Sequence, residues 1–179
     1  RISELPSYAK EIGMNALAIT DHGCMFGVVD FYKACKKADI KPIIGCEVYT
    51  AARSMYDRDP EKDRNSGHLI LLAENETGYK NLCKIVSKGY IDGLYYKPRI
   101  DKTVLREHSE GIICLSACIV GDVQRKLLNN DYDGAKQEAL ELQEIFGRDN
   151  FFLEIQNHFL EEDVPVIAGL TELSKDTGI

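Results

Sequence analysis

The stretch "ALAITDHGCMFGVVDFYKACKKADIKPIIGCEVY" (16–49) contains two apolar runs on either side of an amphipathic segment. The runs, at 16–20 and 42–49, are rich in Ile, Val and Ala and show little polar alternation, which is typical of strands buried on both faces. Between them, apolar residues recur at helical spacing over 26–40, with lysines outside that face. The stretch therefore predicts a strand, a helix and a second strand.

The same alternation continues along the chain. Further apolar runs lie at 69–73, 112–117 and 151–155, and helical patterns lie at 75–89, 133–147, 162–178 and in the first dozen residues. Strands that alternate with helices indicate βα units around a parallel sheet, either a barrel or an open sheet. The long polar stretch 51–67 predicts a solvated and partly mobile loop, and a lid over a site is the alternative.

Length and composition limit the possible classes of protein. The 179 residues, 44% of them hydrophobic, suffice for one domain. A formal charge of -7 is the opposite of the excess of basic residues expected of a principal nucleic-acid-binding surface. Because no run resembles a membrane span or a signal peptide, we expect a soluble cytoplasmic protein without a membrane partner. Six cysteines without a C-x-x-C pair predict buried thiols in place of disulfides or a zinc knuckle.

Residues able to bind metal or transfer protons occur where predicted strands end, and in βα architectures ligand sites gather at the carboxyl ends of strands. Asp21 and His22 follow the first strand, Glu47 lies near the end of the second, and Cys118 follows the fourth. Taken singly, the Asp-His pair is more typical of a turn and Cys118 of a buried thiol, while Glu47 fits a salt bridge at the rim of the sheet equally well.

Two further regions add candidates. The period of two places Glu154 and His158 on one side of the pleat after the fifth run. His68 precedes the third strand, so either that strand runs in a different direction from its neighbours or His68 lies outside the site. The fourth histidine, His108, fits the surface of a helix. Imidazole, carboxylate and thiolate are ligands of zinc, manganese and iron, and two metals about 3.5–4 Å apart are the usual clamp for phosphoester hydrolysis.

Other catalytic motifs are absent, since the chain has no G-x-S-x-G, G-x-G-x-x-G or P-loop sequence. The stretch "GLYYKPRI" (93–100) places Lys97 and Arg99 beside Tyr95 and Tyr96. Cations interspersed with aromatic residues often bind phosphates and bases, although the same stretch fits a tyrosine-flanked turn stabilised by Pro98 equally well. Arg99 is the preferred phosphate contact.

Five ordered segments carry a resemblance to a known family: 18–49, "HLILLAENETGYKNLCKIVSKGY" (68–90), "YYKPRI" (95–100), "GIICLSAC" (111–118) and "NFFLEIQNH" (150–158). They resemble the PHP (polymerase and histidinol phosphatase) domain of bacterial replicative DNA polymerase III alpha subunits. The resemblance implies an α/β fold, a distorted TIM-like (β/α)7 barrel with up to three metals at its mouth. The family's metal-ligand positions fall on His22, Glu47, His68 and Cys118. The resemblance also implies that Asp21 orients its neighbour, and it leaves Glu154 and His158 as candidate ligands.

The resemblance implies cofactors, partners and limits as well. Zn²⁺ or Mn²⁺ would serve phosphodiester hydrolysis, with 3'-5' proofreading as its context, and Mg²⁺ would serve the polymerase elsewhere in the chain. DNA, deoxynucleoside triphosphates, a proofreading exonuclease subunit and a sliding clamp are the expected partners. The family's H-x-H and D-x-H motifs would lie before Arg1 and after Ile179, so a single-domain fragment that binds metal weakly is expected. The alternatives are a purely structural module and a free-standing phosphatase of the histidinol-phosphate type.

Overall fold

The computed structural model describes all residues from 1 to 179 as seven strands and seven helices. The strands are β1 (Ala16–Ile19), β2 (Lys41–Ala51), β3 (Ser66–Ala73), β4 (Leu94–Tyr95), β5 (Lys97–Ile100), β6 (Ile112–Leu115) and β7 (Phe151–Phe152). The helices are α1 (Leu5–Glu11), α2 (Val28–Lys37), α3 (Glu76–Ile91), α4 (Lys102–Glu107), α5 (Asp122–Leu128), α6 (Tyr132–Phe146) and α7 (Asp163–Thr177). The five predicted strands and the long predicted helices are present, although β7 is much shorter than predicted.

The long strand β2 organises the sheet. It pairs in parallel with β1 through residues 41–44 and with β5 through residues 49–50, and it pairs antiparallel with β3 through residues 45–51. Strand β3 is also antiparallel to β6, which runs parallel to β7. The prediction of a wholly parallel sheet is therefore wrong. The segment joining β2 to β3 contains no helix, so the chain turns back beside β2 without the crossover that a parallel pair requires.

The sheet is open, with the order β4-β5-β2-β3-β6-β7 and with β1 beside β2. Strands β1 and β7 do not pair with each other, so these seven strands do not close the predicted barrel. The helices cover the sheet with two groups of buried side chains. The larger group joins α3, α4, α5, α6 and α7 to β2, β3 and β6, and the smaller one joins α1 and α2 to β1.

Local sequence explains where several helices begin. The side chain of Asn75 accepts a hydrogen bond from the Gly78 amide at the start of α3, and Asp131 does the same for Gly134 in α6. Such caps satisfy amides that have no partner inside the helix, and each stabilises the fold by about 1 kcal/mol. None of the helices is sufficiently long and apolar to span a bilayer.

The segment 52–65 between β2 and β3, here called the connecting loop, is more ordered than its composition predicts. Its Met55 and Asp63 side chains are buried. Asp63 accepts two hydrogen bonds from Arg53, at 3.0 and 2.6 Å, and its Oδ2 also accepts one from the Asp59 amide at 2.8 Å. The prediction of a solvated loop therefore fails for these residues, because the charges alternate to form internal ion pairs and the loop folds around them.

Candidate metal centre

The end of β1 is held beside β2 by backbone hydrogen bonds. The Glu47 amide donates to the Asp21 carbonyl at 3.0 Å, and the Gly23 amide donates to the Glu47 carbonyl at 2.7 Å. This pairing sets His22 opposite Glu47 in an isolated parallel bridge. The side chains of two segments that are 25 residues apart in sequence therefore meet at one edge of the sheet.

Gly23 makes this close approach possible. Its φ of +67° lies in the left-handed region that favours glycine. A β-carbon at this position would lie 2.6 Å from Cε2 of Tyr49 and 3.2 Å from Pro98. The glycine after the Asp-His pair is thus required both by the backbone turn and by the tyrosine ring packed against it.

Two histidines contact one carboxylate at this edge. Oε1 of Glu47 lies 2.7 Å from Nδ1 of His22 and 3.1 Å from Nδ1 of His68. The Glu47 side chain is 10% exposed and that of His68 19%, whereas His22 is 76% exposed. If both rings donate from Nδ1, the Nε2 of each ring keeps its lone pair, which is the form in which histidine binds metal.

His68 belongs to this group because β3 runs antiparallel to β2. The start of β3 therefore lies beside the end of β2, with His68 paired with Tyr49 in the register. The structure resolves the two alternatives left open for His68 in favour of a reversed strand. The Tyr49 ring also packs edge-on against His68, with ring centroids 5.2 Å apart, and fixes the orientation of the imidazole.

Cys118 completes the group. Its Sγ lies 3.4 Å from Nδ1 of His68. Just before it, the buried residue Ala117 has a φ of +67°, a conformation that is strained for a residue with a side chain. This turn links the end of β6 to Cys118. We call the four side chains of His22, Glu47, His68 and Cys118 the candidate metal centre.

Burial shifts the pKa values of two side chains at or beside the candidate metal centre, and both shifts affect which groups can bind a metal. Burial lowers the pKa of His68 below its ordinary value, although the Glu47 carboxylate opposes the shift, so the neutral ring is favoured. Burial raises the pKa of the Cys46 thiol to about 12, and this thiol donates to the Asp21 carbonyl at 3.4 Å. Cys46 is therefore a protonated structural side chain beside the centre.

The donor set of the candidate metal centre fits a divalent transition metal, because it combines two imidazoles, a carboxylate and a thiol at one strand edge. As the side chains stand, no group of three or more of them is arranged to hold an ion. The two findings are compatible, since Glu47 is hydrogen-bonded to both histidines and Cys118 contacts His68. Glu47 and Cys118 would have to exchange these contacts only if they bind a metal themselves.

Comparison with models of protein families shows to which family the chain is related. The model of the PHP domain family matches residues 1–158. The chain belongs to the PHP domain family. The resemblance read from the sequence is thereby confirmed, and the match includes every residue of the candidate metal centre.

Several curated relatives of this PHP domain are named DNA polymerase III subunit alpha. The chain is 46% identical to the DNA polymerase III subunit alpha of Treponema pallidum over 99% of its own length, and 47% identical to that of Borreliella burgdorferi over its whole length. The subunit of Thermus aquaticus is 43% identical, again over the whole chain. In each case the chain spans only 15% or 16% of the relative.

Asp21 does not contact the imidazole of its neighbour in this PHP domain. Its backbone carbonyl is used by Glu47 and Cys46, while its Oδ2 lies by Gly27 at the start of α2. His22 is instead oriented by Glu47. The backbone of Asp21 thus helps to hold the β1 end in place, and the orienting role of its carboxylate stays a prediction without a contact to support it.

Arg99, the predicted phosphate contact, is completely buried. Its guanidinium donates only to backbone carbonyls of Asp63, Met55, Asp57 and Gly93, at 3.0, 3.2, 2.8 and 3.4 Å. With its donors occupied and no solvent access, this side chain cannot reach a phosphate. The structure corrects this prediction: Arg99 holds the connecting loop against β5.

Glu154 and His158 lie after β7, in an irregular segment. Glu154 accepts a hydrogen bond from Gln156 through Oε1 at 2.7 Å, while its Oε2 is buried without a partner. The His158 side chain is exposed, and only its backbone amide is bound, to Asp163 at 2.7 Å. No contact joins either side chain to the candidate metal centre, so their role as ligands stays a prediction.

Tyr49 is the residue at this site that the sequence interpretation missed. It fixes His68 and receives the ammonium of Lys97 over its ring, with Nζ 4.8 Å from the centroid. The signal was available, since the period of two in β2 places Tyr49 on the same face as Glu47. Tyr49 could be found only by asking which other residues of β2 share a face of the sheet with the candidate ligand Glu47.

Proposed function

We propose that this PHP domain is a metal-dependent phosphoesterase centre within a bacterial DNA polymerase III alpha subunit. The observation that carries the proposal is the position of Glu47 Oε1, within 3.1 Å of Nδ1 of both His22 and His68, with Cys118 beside the latter. The names of the relatives support the assignment to the polymerase, a template-directed nucleotidyltransferase that acts on DNA and deoxynucleoside triphosphates.

The fold of the complete domain is part of the proposal. We assign the open sheet to a distorted (β/α)7 barrel, in which further strands of the longer protein pair beyond β1 and β7. The H-x-H and D-x-H motifs of the family would add ligands at the same edge. Up to three ions, Zn²⁺ or Mn²⁺, would then bind, while Mg²⁺ would serve nucleotidyl transfer elsewhere in the protein.

The residues of the chain have separate tasks in this reaction. His22, His68 and Cys118 bind metal, and Glu47 either binds metal itself or holds both imidazoles in the orientation that exposes Nε2. Glu154 is retained as a further candidate because its buried Oε2 has no donor. A bound metal would neutralise phosphate charge and lower the pKa of a water molecule to produce the nucleophile.

The proposed substrate is the phosphodiester at a single-stranded 3' end, and proofreading within the replisome is the proposed context. A separate proofreading exonuclease subunit and the sliding clamp are proposed partners, and the cytoplasm is the proposed location. The test is cleavage of a single-stranded oligonucleotide by the full-length protein loaded with Zn²⁺ or Mn²⁺. The His22→Ala variant should lose cleavage, and equal cleavage by both proteins would refute the mechanism.

A second function, a structural module, is favoured by one observation. Glu47 and the two histidines satisfy each other without a metal, so the centre could brace the fold while remaining catalytically inert. Metal removal separates the two functions. A structural module would keep its unfolding temperature and show no cleavage at any metal concentration, whereas a phosphoesterase would regain cleavage when metal is returned.

A further inference from the structure

A basic cleft of about 350 Å³ lies beside the candidate metal centre. Its lining includes the cationic side chains of Arg64, Lys97 and Arg125, together with Tyr96 and Val120, and no acidic side chain. This is a marked local departure from the formal charge of -7 of the chain. A cleft of this sign attracts anions even though the protein as a whole repels them.

Two connections join the basic cleft to the centre. Nζ of Lys97 lies 4.8 Å from the centroid of the Tyr49 ring, whose edge packs against His68. Arg125 donates to the carbonyl of Ser66, two residues before His68, at 3.4 Å. An anionic chain bound in the cleft would therefore lie next to the ligands of the centre.

The cations of the cleft differ in their freedom to bind an anion. Arg125 forms an ion pair with Asp122 at 2.5 Å, so part of its charge is already used inside the protein. Arg64 and Lys97 are exposed, and neither forms an ion pair with a carboxylate. Arg64 lies over the ring of Tyr96, and Lys97 lies over the ring of Tyr49. These two side chains are therefore the ones available to phosphate oxygens.

Tyr96 provides a second and independent observation. It is the single residue between β4 and β5, its φ is +56°, and it is 65% exposed. A bulky residue in the left-handed region is strained, and such strain persists where the surrounding structure imposes it, often at ligand sites. The ring is held by Arg64, 5.8 Å from its centroid, and by Tyr95, at 4.6 Å between centroids.

We infer that the basic cleft binds a single-stranded nucleic acid whose end enters the candidate metal centre, with Arg64 and Lys97 on phosphates and Tyr96 stacked on a base. This inference rests on the proposed phosphoesterase function and names the residues that guide its substrate. Exposed aromatic rings beside cations are the usual platform for single strands, because every base has a face to stack and every nucleotide a charge to neutralise.

The first test is photo-crosslinking of the full-length protein to oligodeoxythymidine that contains one 5-iododeoxyuridine. Peptide mapping isolates the crosslink at Tyr96 from contacts made elsewhere in the protein. The Arg64→Glu, Lys97→Glu double variant should lower the yield at Tyr96 about tenfold, because two phosphate contacts become repulsive. The matched control is Lys36→Glu with Lys37→Glu, the same change of charge on the exposed side of α2, which should leave the yield unchanged.

The second test compares two substrates of the metal-loaded enzyme. For the oligonucleotide, the Arg64→Glu, Lys97→Glu variant should raise KM about tenfold with little change in kcat. For bis(p-nitrophenyl) phosphate, which is too small to span the cleft, kcat/KM should be unchanged. A variant that had lost its fold would instead fail on both substrates.

The outcomes separate this inference from the proposed function. If the double variant keeps full crosslinking at Tyr96 and an unchanged KM while His22→Ala abolishes cleavage, the cleft is not the substrate path and the phosphoesterase stands. If no metal supports cleavage but the crosslink at Tyr96 appears and depends on Arg64 and Lys97, the cleft is a nucleic-acid site and the phosphoesterase fails.

Discussion

His68 and Glu47 come from antiparallel strands, yet His68 Nδ1 lies 3.1 Å from Glu47 Oε1. The contact exists because β3 begins beside the end of β2. The antiparallel register pairs His68 with Tyr49, two residues after Glu47. The contact joins a residue near the beginning of β3 to Glu47 within β2, which in turn contacts His22 beyond the end of β1. The reversed strand is therefore what makes the candidate metal centre possible.

Replacing His22 with Ala should weaken the binding of Zn²⁺ by at least the roughly 10- to 100-fold that is typical of losing an outer partner of a metal ligand, since it removes a proposed ligand and one partner of Glu47. Competition against a chromophoric chelator measures the affinity in the full-length protein. His108→Ala is the matched control, because His108 ends α4 and contacts none of the four side chains of the centre. Equal Zn²⁺ affinity in the two variants would remove His22 from the ligand set.

Gly23→Ala should destabilise the fold more than Gly13→Ala. Both glycines have positive φ, at +67° and +87°, but a β-carbon at Gly13 meets nothing within 4 Å, whereas one at Gly23 meets the Tyr49 ring. We expect about 1 kcal/mol for Gly13→Ala from backbone strain, and about 1–3 kcal/mol more for Gly23→Ala from overpacking. Urea unfolding of both variants gives the difference, and equal losses would mean that the ring moves aside freely.

Arg99→Lys should cost about 3 kcal/mol, because an ammonium cannot satisfy the set of carbonyls that the guanidinium now holds. Arg106→Lys tests the same change on the surface, where the ion pair with Glu141 contributes about 0–1 kcal/mol. The free energies of unfolding, measured in urea, provide the comparison. Similar losses for both variants would show that burial of Arg99 has no energetic weight.

Stability should fall in acid through Asp63. The hydrogen bonds from Arg53 hold the pKa of Asp63 below its ordinary value of 3.8. A carboxyl with a lowered folded-state pKa stabilises the fold fully above the unfolded-state pKa and loses that contribution as the pH falls through the folded-state pKa.

Asp63→Asn removes this titration. Its unfolding free energy should therefore change less than that of the unmodified protein between pH 5.5 and pH 3, as measured by urea titration at each pH. Asp39→Asn is the control, since the Asp39 side chain is 98% exposed and pairs only with Lys10. Parallel pH profiles for Asp63→Asn and the unmodified protein would contradict the assignment.

The sequence predicted most of the elements and three side chains of the candidate metal centre, because strand ends and residue types are local properties, while the binding of metal by these side chains stays a prediction. His22 and Cys118 were selected from their places after apolar runs, and Glu47 from its place near the end of one. The position of His68 depended on the direction of β3, which no periodicity encodes, since a strand reads the same in both directions. Only the helix-free connection between β2 and β3 indicated the reversal.

Arg99 could not be assigned from sequence for a different reason. A cation beside two tyrosines suits a phosphate site and a buried anchor equally well, and only the path of the connecting loop decides between them. That path depends on carbonyl groups, which every residue has, so no residue pattern marks it. The neighbouring Lys97, two positions earlier on the same strand, is exposed and is the residue for which we propose a phosphate contact.

The hydrogen bonds from Arg99 to the connecting loop also limit where a reporter sequence can be inserted into the protein. By composition, the connecting loop is the obvious choice, since it is the longest polar stretch of the chain. An insertion there would pull the Met55, Asp57 and Asp63 carbonyls away from the guanidinium and expose a buried charge. The turn at Asn129 and Asn130, exposed between α5 and α6, is the better place for a fluorescent label or an affinity tag.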